Sequence, residues 1–312
     1  VYCGVDVAKA ELVIARSDQS EPCTIKNSPT AIATWLKRLP AGSRLLIEAT
    51  GSYHLALALA AHARGHRVYI VDGYKLSQYR KGIGARAKTD LCDAALLLRY
   101  LQHEIEQLRL WTPPPDNVTK ISALLRRRAQ LVKHRGAIEL SLREIPELDA
   151  KRATRSLTEA IAQIEKLIRM QLKDTPLDTQ VSRCQQVYGL GFLSATALAV
   201  AYNKGRFTRT DAFVAFLGMD VIARDSGTFR GKRKLSKKGD VETRRLLYNA
   251  ASSAARHGAC KVYYEHHLAR GKQRTQVLIM IARKLIRIAF CLLKNHSHYD
   301  PDQAFILTEK SV

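Results

Sequence analysis

The chain has 312 residues and a formal net charge of +23, from 51 lysines and arginines against 28 aspartates and glutamates. This basic excess makes a polyanion such as nucleic acid the expected partner, and the length leaves room for two domains and a connector. No signal peptide, membrane span or CxxC pair is visible among these residues. The pattern therefore favours a cytoplasmic protein with six reduced cysteines and without zinc or disulfides.

Residues 1–112 are predicted to form an α/β domain. Strands are expected at about 2–6, 11–16, 22–26, 44–48 and 67–71, with helices at about 29–38, 54–64 and 89–104. A three-strand meander followed by alternating helices and strands is the element order of an RNase H-like (RuvC-like) mixed sheet. Three consecutive prolines in the segment 111–116 (WTPPPD) cannot continue a helix, so a domain boundary is predicted there.

Four acids of this domain are candidates for a metal site. Asp6 and Glu48 each close an apolar strand, while Asp90 and Asp93 lie three apart at the start of an apolar-periodic helix. Strand ends face the cleft of an open α/β sheet, and residues three apart share a helical face, so we expect the four to converge. Mg²⁺ or Mn²⁺ ions would relieve their repulsion and would polarise a phosphodiester. Each acid taken singly is more typical of a turn or a cap, and the combination favours the metal site.

Residues 113–178 are predicted to form a helical connector. Apolar residues recur every three or four positions from 118 to about 144 and again from 157 to 172, with Pro146 between the two runs. The pattern predicts an antiparallel helical hairpin, or a coiled-coil surface for self-association. Arg126, Arg127 and Arg128 lie on the first helix, either as a solvated face or as phosphate contacts.

Residues 179–312 are predicted to form a mainly helical domain. The net charge is +18 for residues 113–312 against +5 for residues 1–112, so nucleic-acid binding is expected to lie mostly downstream. Near the start of this domain, Gly189 and Gly191 separate two apolar stretches, which is the form of a helix-hairpin-helix motif. In such a motif, backbone amides at a helix N-terminus face a phosphate.

The segment 222–245 contains nine basic residues and three acids. It is either a basic loop that binds the nucleic-acid backbone, or a loop in which Ser226 is a nucleophile that attacks a phosphate. A serine hydroxyl is a poor nucleophile near neutral pH, so the second interpretation requires a base, a metal ion or cationic stabilisation. The residues expected to contact nucleic acid across the chain are Gly189, Gly191, Arg224, Arg230, Lys232, Arg233, Lys234, Lys237, Lys238, Arg126, Arg127 and Arg128.

Two ordered sets of motifs resemble the transposases founded on insertion sequence 110, a family that includes the Piv-type DNA invertases. GVDVAKAEL, IEATGSYH and KTDLCDAALL resemble the DEDD catalytic domain of that family. GLGFLSATALAV, FTRTDAFVAFLGM and DSGTFRGKRKLSKKGDVETRRLLYNAA resemble its carboxyl-terminal transposase domain. The resemblance spans nearly the whole chain.

The resemblance implies roles for particular residues. Asp6, Glu48, Asp90 and Asp93 would bind divalent metal, and Ser226 would form a covalent phosphoserine link to DNA. Ser236 is a competing serine nearby. The chain departs from the family at Asp240, where asparagine is more common. Members of the family also act on double-stranded donor and target DNA, use a non-coding bridge RNA, and assemble as dimers and tetramers.

Three other functions stay open at this level. A RuvC-like structure-specific endonuclease would use the four acids and water, with Ser226 as a simple loop residue. A Piv-type invertase would recombine sites without transposing. A non-catalytic DNA-binding protein with a decayed nuclease fold is disfavoured, because all four acids are present.

Overall fold

The computed structural model describes residues 1–84, 89–145, 147–222, 225–227, 229–231, 233–301 and 305. It divides into two compact units, Val1–Pro113 and Pro114–Val312. Arg224 and Lys232, two of the predicted nucleic-acid contacts, lie outside the described residues, as does the side chain of Arg230. Across the part of the chain that is described, no helix combines the length and the apolar character that a membrane span needs.

The first unit is a five-stranded mixed sheet with helices on both faces. Its elements are β1 (Tyr2–Val7), β2 (Glu11–Arg16), β3 (Cys23–Lys26), α1 (Pro29–Lys37), β4 (Arg44–Glu48), α2 (Leu55–Ala63), β5 (Arg67–Val71), α3 (Gly73–Gly82) and α4 (Asp90–Glu104). The strand order is β3-β2-β1-β4-β5, with β1, β2 and β3 antiparallel and β4 and β5 parallel to β1. The predicted mixed α/β fold is confirmed, and the order fits an RNase H-like sheet.

Helix α3 was not predicted, since the sequence pattern places no helix between the last strand and residue 89. Only Leu76 of this helix is buried, so the apolar periodicity that marks a helix is missing from its sequence. The helix begins at an N-cap, Asp72, whose carboxylate accepts a hydrogen bond from the Lys75 amide at 2.9 Å. Local capping, more than apolar burial, therefore marks where α3 begins.

The alternation of side chains along the strands places the candidate acids on one face of the sheet. Val5 and Ile47 pack in the core that contains α1 and α2, whereas Leu46 packs with residues of α3 and α4. Successive strand residues point to opposite faces. Asp6 and Glu48 therefore lie on the α4 face, at the carboxyl ends of two neighbouring parallel strands.

Helix α4 lies directly against β1 because residue 4 has no side chain. A Cβ atom at Gly4 would lie 2.2 Å from the Leu98 amide nitrogen and 2.4 Å from the Ala94 carbonyl oxygen. Real Cβ atoms do not approach backbone so closely, and the backbone of a packed helix cannot shift locally to make room. Gly4 thus sets the distance between α4, which carries Asp90 and Asp93, and β1, which carries Asp6.

The second unit is mainly helical. Its helices are α5 (Asp116–Ser141), α6 (Ala150–Leu172), α7 (Pro176–Gln185), α8 (Phe192–Tyr202), α9 (Thr210–Phe216), α10 (Val241–Ala254), α11 (Gly258–Ala269) and α12 (Arg274–Asn295). Helices α5 and α6 pack side by side, with Ile121 and Leu125 in the same core as Ile168 and Leu172. The predicted hairpin is present, although α6 begins seven residues before its first predicted apolar position at Leu157. Its early turns are solvated, which is why the apolar pattern does not show them.

The basic segment between α9 and α10 forms two small antiparallel sheets of two strands each, called here together the serine ribbon (the described residues of 221–235). Its short strands are β6 (Val221–Ile222), β7 (Asp225–Ser226), β8 (Phe229–Arg230) and β9 (Lys234–Leu235). β6 pairs with β9 and β7 pairs with β8, both antiparallel. Ser226 therefore lies beside the tip of a hairpin, where the sequence predicted an irregular loop.

We predict that Gly4→Ala lowers the free energy of unfolding of the first unit by about 3 kcal/mol, because the added methyl overlaps the backbone of α4. Urea unfolding of the full chain measures it. Gly82→Ala at the exposed end of α3 is the control, since a Cβ there meets no atom within 4 Å. Equal stability of the two variants would contradict the assigned packing.

Candidate catalytic carboxylates and the serine ribbon

Asp6 is the candidate acid at the carboxyl end of β1. It is half-buried at the end of β1, and its Oδ1 accepts a hydrogen bond from the Val7 amide at 2.9 Å. Burial raises the pKa of the Asp6 carboxyl, and the charges of Asp90 and Asp93 raise it further. The Val7 amide and the Arg80 guanidinium act in the opposite direction. Asp6, Asp90 and Asp93 are therefore close enough to repel one another.

The first turn of α4 presents Asp90 and Asp93 without using either as a cap. The N-cap is Thr89, whose hydroxyl accepts a hydrogen bond from the Cys92 amide at 3.3 Å. Asp90 is exposed, whereas Asp93 is only 8% exposed. A buried carboxylate needs a partner, and Asp93 has one in Arg80 of α3, which donates to its Oδ1.

Glu48 lies at the end of β4, beside the start of α3. A Cβ atom at Gly73 would lie 2.6 Å from the Glu48 Oε1 atom, so the carboxylate occupies the space left by the missing side chain. Gly73 is the first residue of α3, and the N-terminus of a helix attracts negative charge. The Glu48 carboxylate therefore has a defined position beside Gly73, on the same face of the sheet as Asp6.

The oxygen ligands of this edge suit a divalent cation. Hard cations prefer carboxylate oxygens, and a bound cation would reverse the repulsion that raises the pKa of Asp6. Among the residues with described positions, no group of three or more His, Cys, Asp or Glu side chains is close enough to hold one ion. The donors therefore fit in chemical type, while Asp93 is paired with Arg80 instead.

Sequence reasoning missed both Arg80 and Gly73 because it missed α3. The signal that was present is the acid at position 72 after a strand, which is typical of an N-cap. No pattern of apolar residues shows that Arg80 faces Asp93, since that contact depends on how α3 packs on α4.

Ser226 is exposed on the serine ribbon, next to Asp225, whose carboxylate accepts three hydrogen bonds. The Asp225 carboxylate accepts two hydrogen bonds from the Arg233 guanidinium, at 2.6 and 2.9 Å, and one from the Gly231 amide at 3.2 Å. The Arg233 guanidinium holds the pKa of the Asp225 carboxyl below its usual range. This bidentate pair joins β7 to the residue that precedes β9, although its solvent exposure limits what it adds to stability.

Ser236, the competing serine, is engaged at the base of the ribbon. Its hydroxyl donates to the Asp220 carboxylate, and its amide donates to the Asp220 carbonyl at 2.9 Å.

Asp240, which departs from the pattern of the resembled family, is the N-cap of α10. Its Oδ2 accepts hydrogen bonds from the Thr243 amide and hydroxyl, both at 2.7 Å. Aspartate serves as an N-cap as well as asparagine does.

The remaining predicted nucleic-acid contacts differ in their surroundings. Arg126 and Arg127 are exposed on α5, and Lys234, Lys237 and Lys238 are exposed on or beside the ribbon. Arg128 instead joins α5 to α6, donating to Glu165 at 2.6 Å with its side chain 13% exposed.

The two predicted helix-hairpin-helix glycines have distinct surroundings. Gly189 has a φ of +90°, and a Cβ there would lie 2.4 Å from the Ala250 carbonyl oxygen, so packing on α10 accounts for this glycine. Gly191 caps α8 beside open space.

Comparisons with known proteins match both halves of the chain. Residues 3–146 match the protein-family model of the IS110 DEDD transposase domain. Residues 181–265 match a second family model, described as transposase of the IS116/IS110/IS902 family. The pilin gene-inverting protein of Moraxella bovis is 28% identical, over 96% of this chain and 97% of that protein. A probable family 20 transposase of Pseudomonas aeruginosa is 25% identical, over 96% and 98%.

We predict that Gly73→Ala weakens the binding of Mn²⁺ by about tenfold without unfolding the protein, because the new methyl displaces the Glu48 carboxylate but no backbone. Calorimetric titration of the full chain with Mn²⁺ measures the affinity. Gly82→Ala, at the other end of the same helix, is the control. An unchanged Mn²⁺ affinity in Gly73→Ala would show that the position of the Glu48 carboxylate does not matter for cation binding.

Proposed function

This chain belongs to the IS110 family of transposases, which are enzymes of DNA strand transfer, and on that premise we propose that it is the DNA transposase or recombinase of an insertion sequence. In this proposal it cuts and rejoins DNA with Ser226 as the nucleophile. The acids Asp6, Glu48, Asp90 and Asp93 assist as a Mg²⁺ or Mn²⁺ site of RuvC-like type.

The observation that carries the proposal is the crowding of acids at one edge of the first sheet. Asp6 and Glu48 end parallel strands on the α4 face, and Asp90 and Asp93 begin α4 beside them. A structural role does not account for such crowding, because burial and mutual repulsion both disfavour the charged form of Asp6. Groups held in an unfavourable electrostatic arrangement are typical of functional sites.

The acids are proposed to bind and orient the cation. A divalent cation held there would polarise the phosphodiester and neutralise the charge that develops on its oxygens. Asp93 is buried and Asp6 and Glu48 are half-buried, so these three would give the ion fixed ligands. Asp90 is exposed, which suits a ligand on the side where substrate enters.

Ser226 is proposed to attack the phosphorus of one DNA strand. A bond forms between the Ser226 Oγ atom and phosphorus, the bond from phosphorus to one ester oxygen breaks, and that oxygen leaves as a hydroxyl after accepting a proton. Attack by a hydroxyl of another strand reverses the step and releases the serine. Ser226 is exposed beside the hairpin tip, where a DNA strand has access, whereas the Ser236 hydroxyl is held by Asp220. This difference supports Ser226 as the nucleophile.

The basic residues of the second unit are proposed to hold the nucleic-acid backbone. The exposed lysines 234, 237 and 238 place positive charge on and directly after the last strand of the ribbon. At the start of α8 no side chain caps the helix, so its first amides are free of a side-chain partner and suit a phosphate next to Gly191. Donor and target DNA are the proposed ligands, with a bridge RNA as guide and a dimer or tetramer as the assembly, on the strength of the family resemblance.

Site-specific inversion is the second candidate function. It is favoured by the match to the pilin gene-inverting proteins of Moraxella bovis and Moraxella lacunata, each 28% identical over 96% of this chain. The chemistry proposed for the acids and the serine is the same in both cases. The two functions differ in the DNA sites that are joined.

We predict that Asp6→Asn and Glu48→Gln each reduce DNA strand exchange by at least about 10³-fold while DNA affinity changes by less than about threefold, since the amides bind a hard cation poorly. Strand exchange on supercoiled plasmid and a filter-binding titration measure the two quantities. Glu106→Gln, in the same unit but away from the sheet edge, is the control. Full recombination by both site variants would rule out the metal site.

We predict that active protein forms a covalent adduct with a nicked suicide substrate and that the adduct maps to Ser226. Gel electrophoresis under denaturing conditions detects it, and mass spectrometry of the linked peptide locates it. Ser226→Ala should abolish the adduct and Ser236→Ala should retain it. An adduct at Ser236 would overturn the assignment, and active protein without any adduct would favour a nuclease that uses water.

A further inference from the structure

Arg80 is a cation placed inside the carboxylate cluster. Its guanidinium donates to the Asp93 Oδ1 atom, and both side chains are largely buried, at 14% and 12% exposure. Its Nε–H group is also buried and has no hydrogen-bond partner among the described residues. An unpartnered buried donor is costly, so the position of this arginine is not explained by hydrogen bonding alone.

The charge of Arg80 acts on more than Asp93. It lowers the pKa of Asp6, whereas Asp90 and Asp93 raise it. Arg80 therefore places a positive charge among these carboxylates, in direct contact with Asp93.

We propose that Arg80 and the divalent cation compete for Asp93. In this inference, which rests on the proposed metal site, the guanidinium holds Asp93 in the metal-free protein and leaves it when the cation binds. Arg80 is thus a positioning residue that sets the metal affinity. It keeps the carboxylates in place and makes cation binding conditional on release of an ion pair.

The geometry supports competition over cooperation. A guanidinium on Asp93 occupies one of the oxygens that a cation would need, and two positive charges at one carboxylate repel each other. Release has a local route, because Arg80 is two residues from the end of α3 and its long side chain has several rotatable bonds.

The test is the affinity of the full-length protein for Mn²⁺ alone, measured by calorimetry after removal of metal with a chelator. Arg80→Gln should bind Mn²⁺ about tenfold more tightly than the unaltered protein, because the competing charge is gone. Arg80→Lys should lie between the two. Arg99→Ala, which removes the same charge from an exposed position on α4, is the control and should change the affinity by less than about twofold.

Thermal unfolding provides a second readout that does not depend on activity. Without metal, Arg80→Gln should melt at a lower temperature than the unaltered protein, because Asp93 loses its partner. With saturating Mn²⁺ it should gain more in melting temperature than the unaltered protein gains, since ligand binding to the folded state stabilises it. A role of Arg80 in folding alone would lower the melting temperature in both conditions.

Two variants separate this inference from the metal site on which it rests. If Asp6→Asn binds Mn²⁺ as well as the unaltered protein, the proposed metal site is wrong and the inference falls with it. If Asp6→Asn loses binding while Arg80→Gln binds no more tightly than the unaltered protein, the site stands and the competition is overturned. Should Arg80→Gln fail to fold, Arg80→Lys decides the question, because equal affinity in a folded lysine variant also overturns it.

Discussion

The close contact between α4 and β1 is the constraint on which the candidate site depends. Because Gly4 has no side chain, the backbone of α4 lies directly on β1, the strand that carries Asp6. The first turn of α4 then brings two further acids to the same sheet edge. A larger residue at position 4 would move the whole helix, so the spacing of the carboxylates is fixed by packing in the core and not by the acids themselves.

The closeness of these acids is electrostatically unfavourable, and Arg80 lies among them as a positive charge. Burial raises the pKa of Asp6, and the neighbouring charges of Asp90 and Asp93 raise it further. A buried arginine relieves the repulsion in the absence of metal, and a divalent cation would relieve it more strongly because it carries twice the charge. In the structure the positive charge beside these carboxylates is that of Arg80, and in the proposed metal-bound protein it would be that of the cation. In the second unit, the clamp of Arg233 on Asp225 and the Ser236–Asp220 contact order the ribbon that carries Ser226.

The strands and helices that were predicted correctly from the sequence are those with a periodic pattern of apolar residues. The strands that end at Asp6 and Glu48 and the helix that begins at Asp90 were predicted within about one residue, because buried strands and amphipathic helices leave a periodic signal. Helix α3 has no such periodic pattern, so neither Arg80 nor the contact of Glu48 with Gly73 was predicted. The ribbon was expected as a loop, since strands of two residues are too short to show alternation. Contacts between elements, such as Arg80 with Asp93, arise only from tertiary packing.

The central claim is that Asp6 and Asp93 belong to a cation site in which Arg80 substitutes for the metal. Anomalous diffraction from crystals of the full chain soaked in Mn²⁺ tests it most directly. The account predicts an anomalous peak within coordination distance of the Asp6 and Asp93 carboxylates, with the Arg80 guanidinium withdrawn from Asp93. Crystals at saturating Mn²⁺ that show no peak there, with Arg80 still bonded to Asp93, would contradict it.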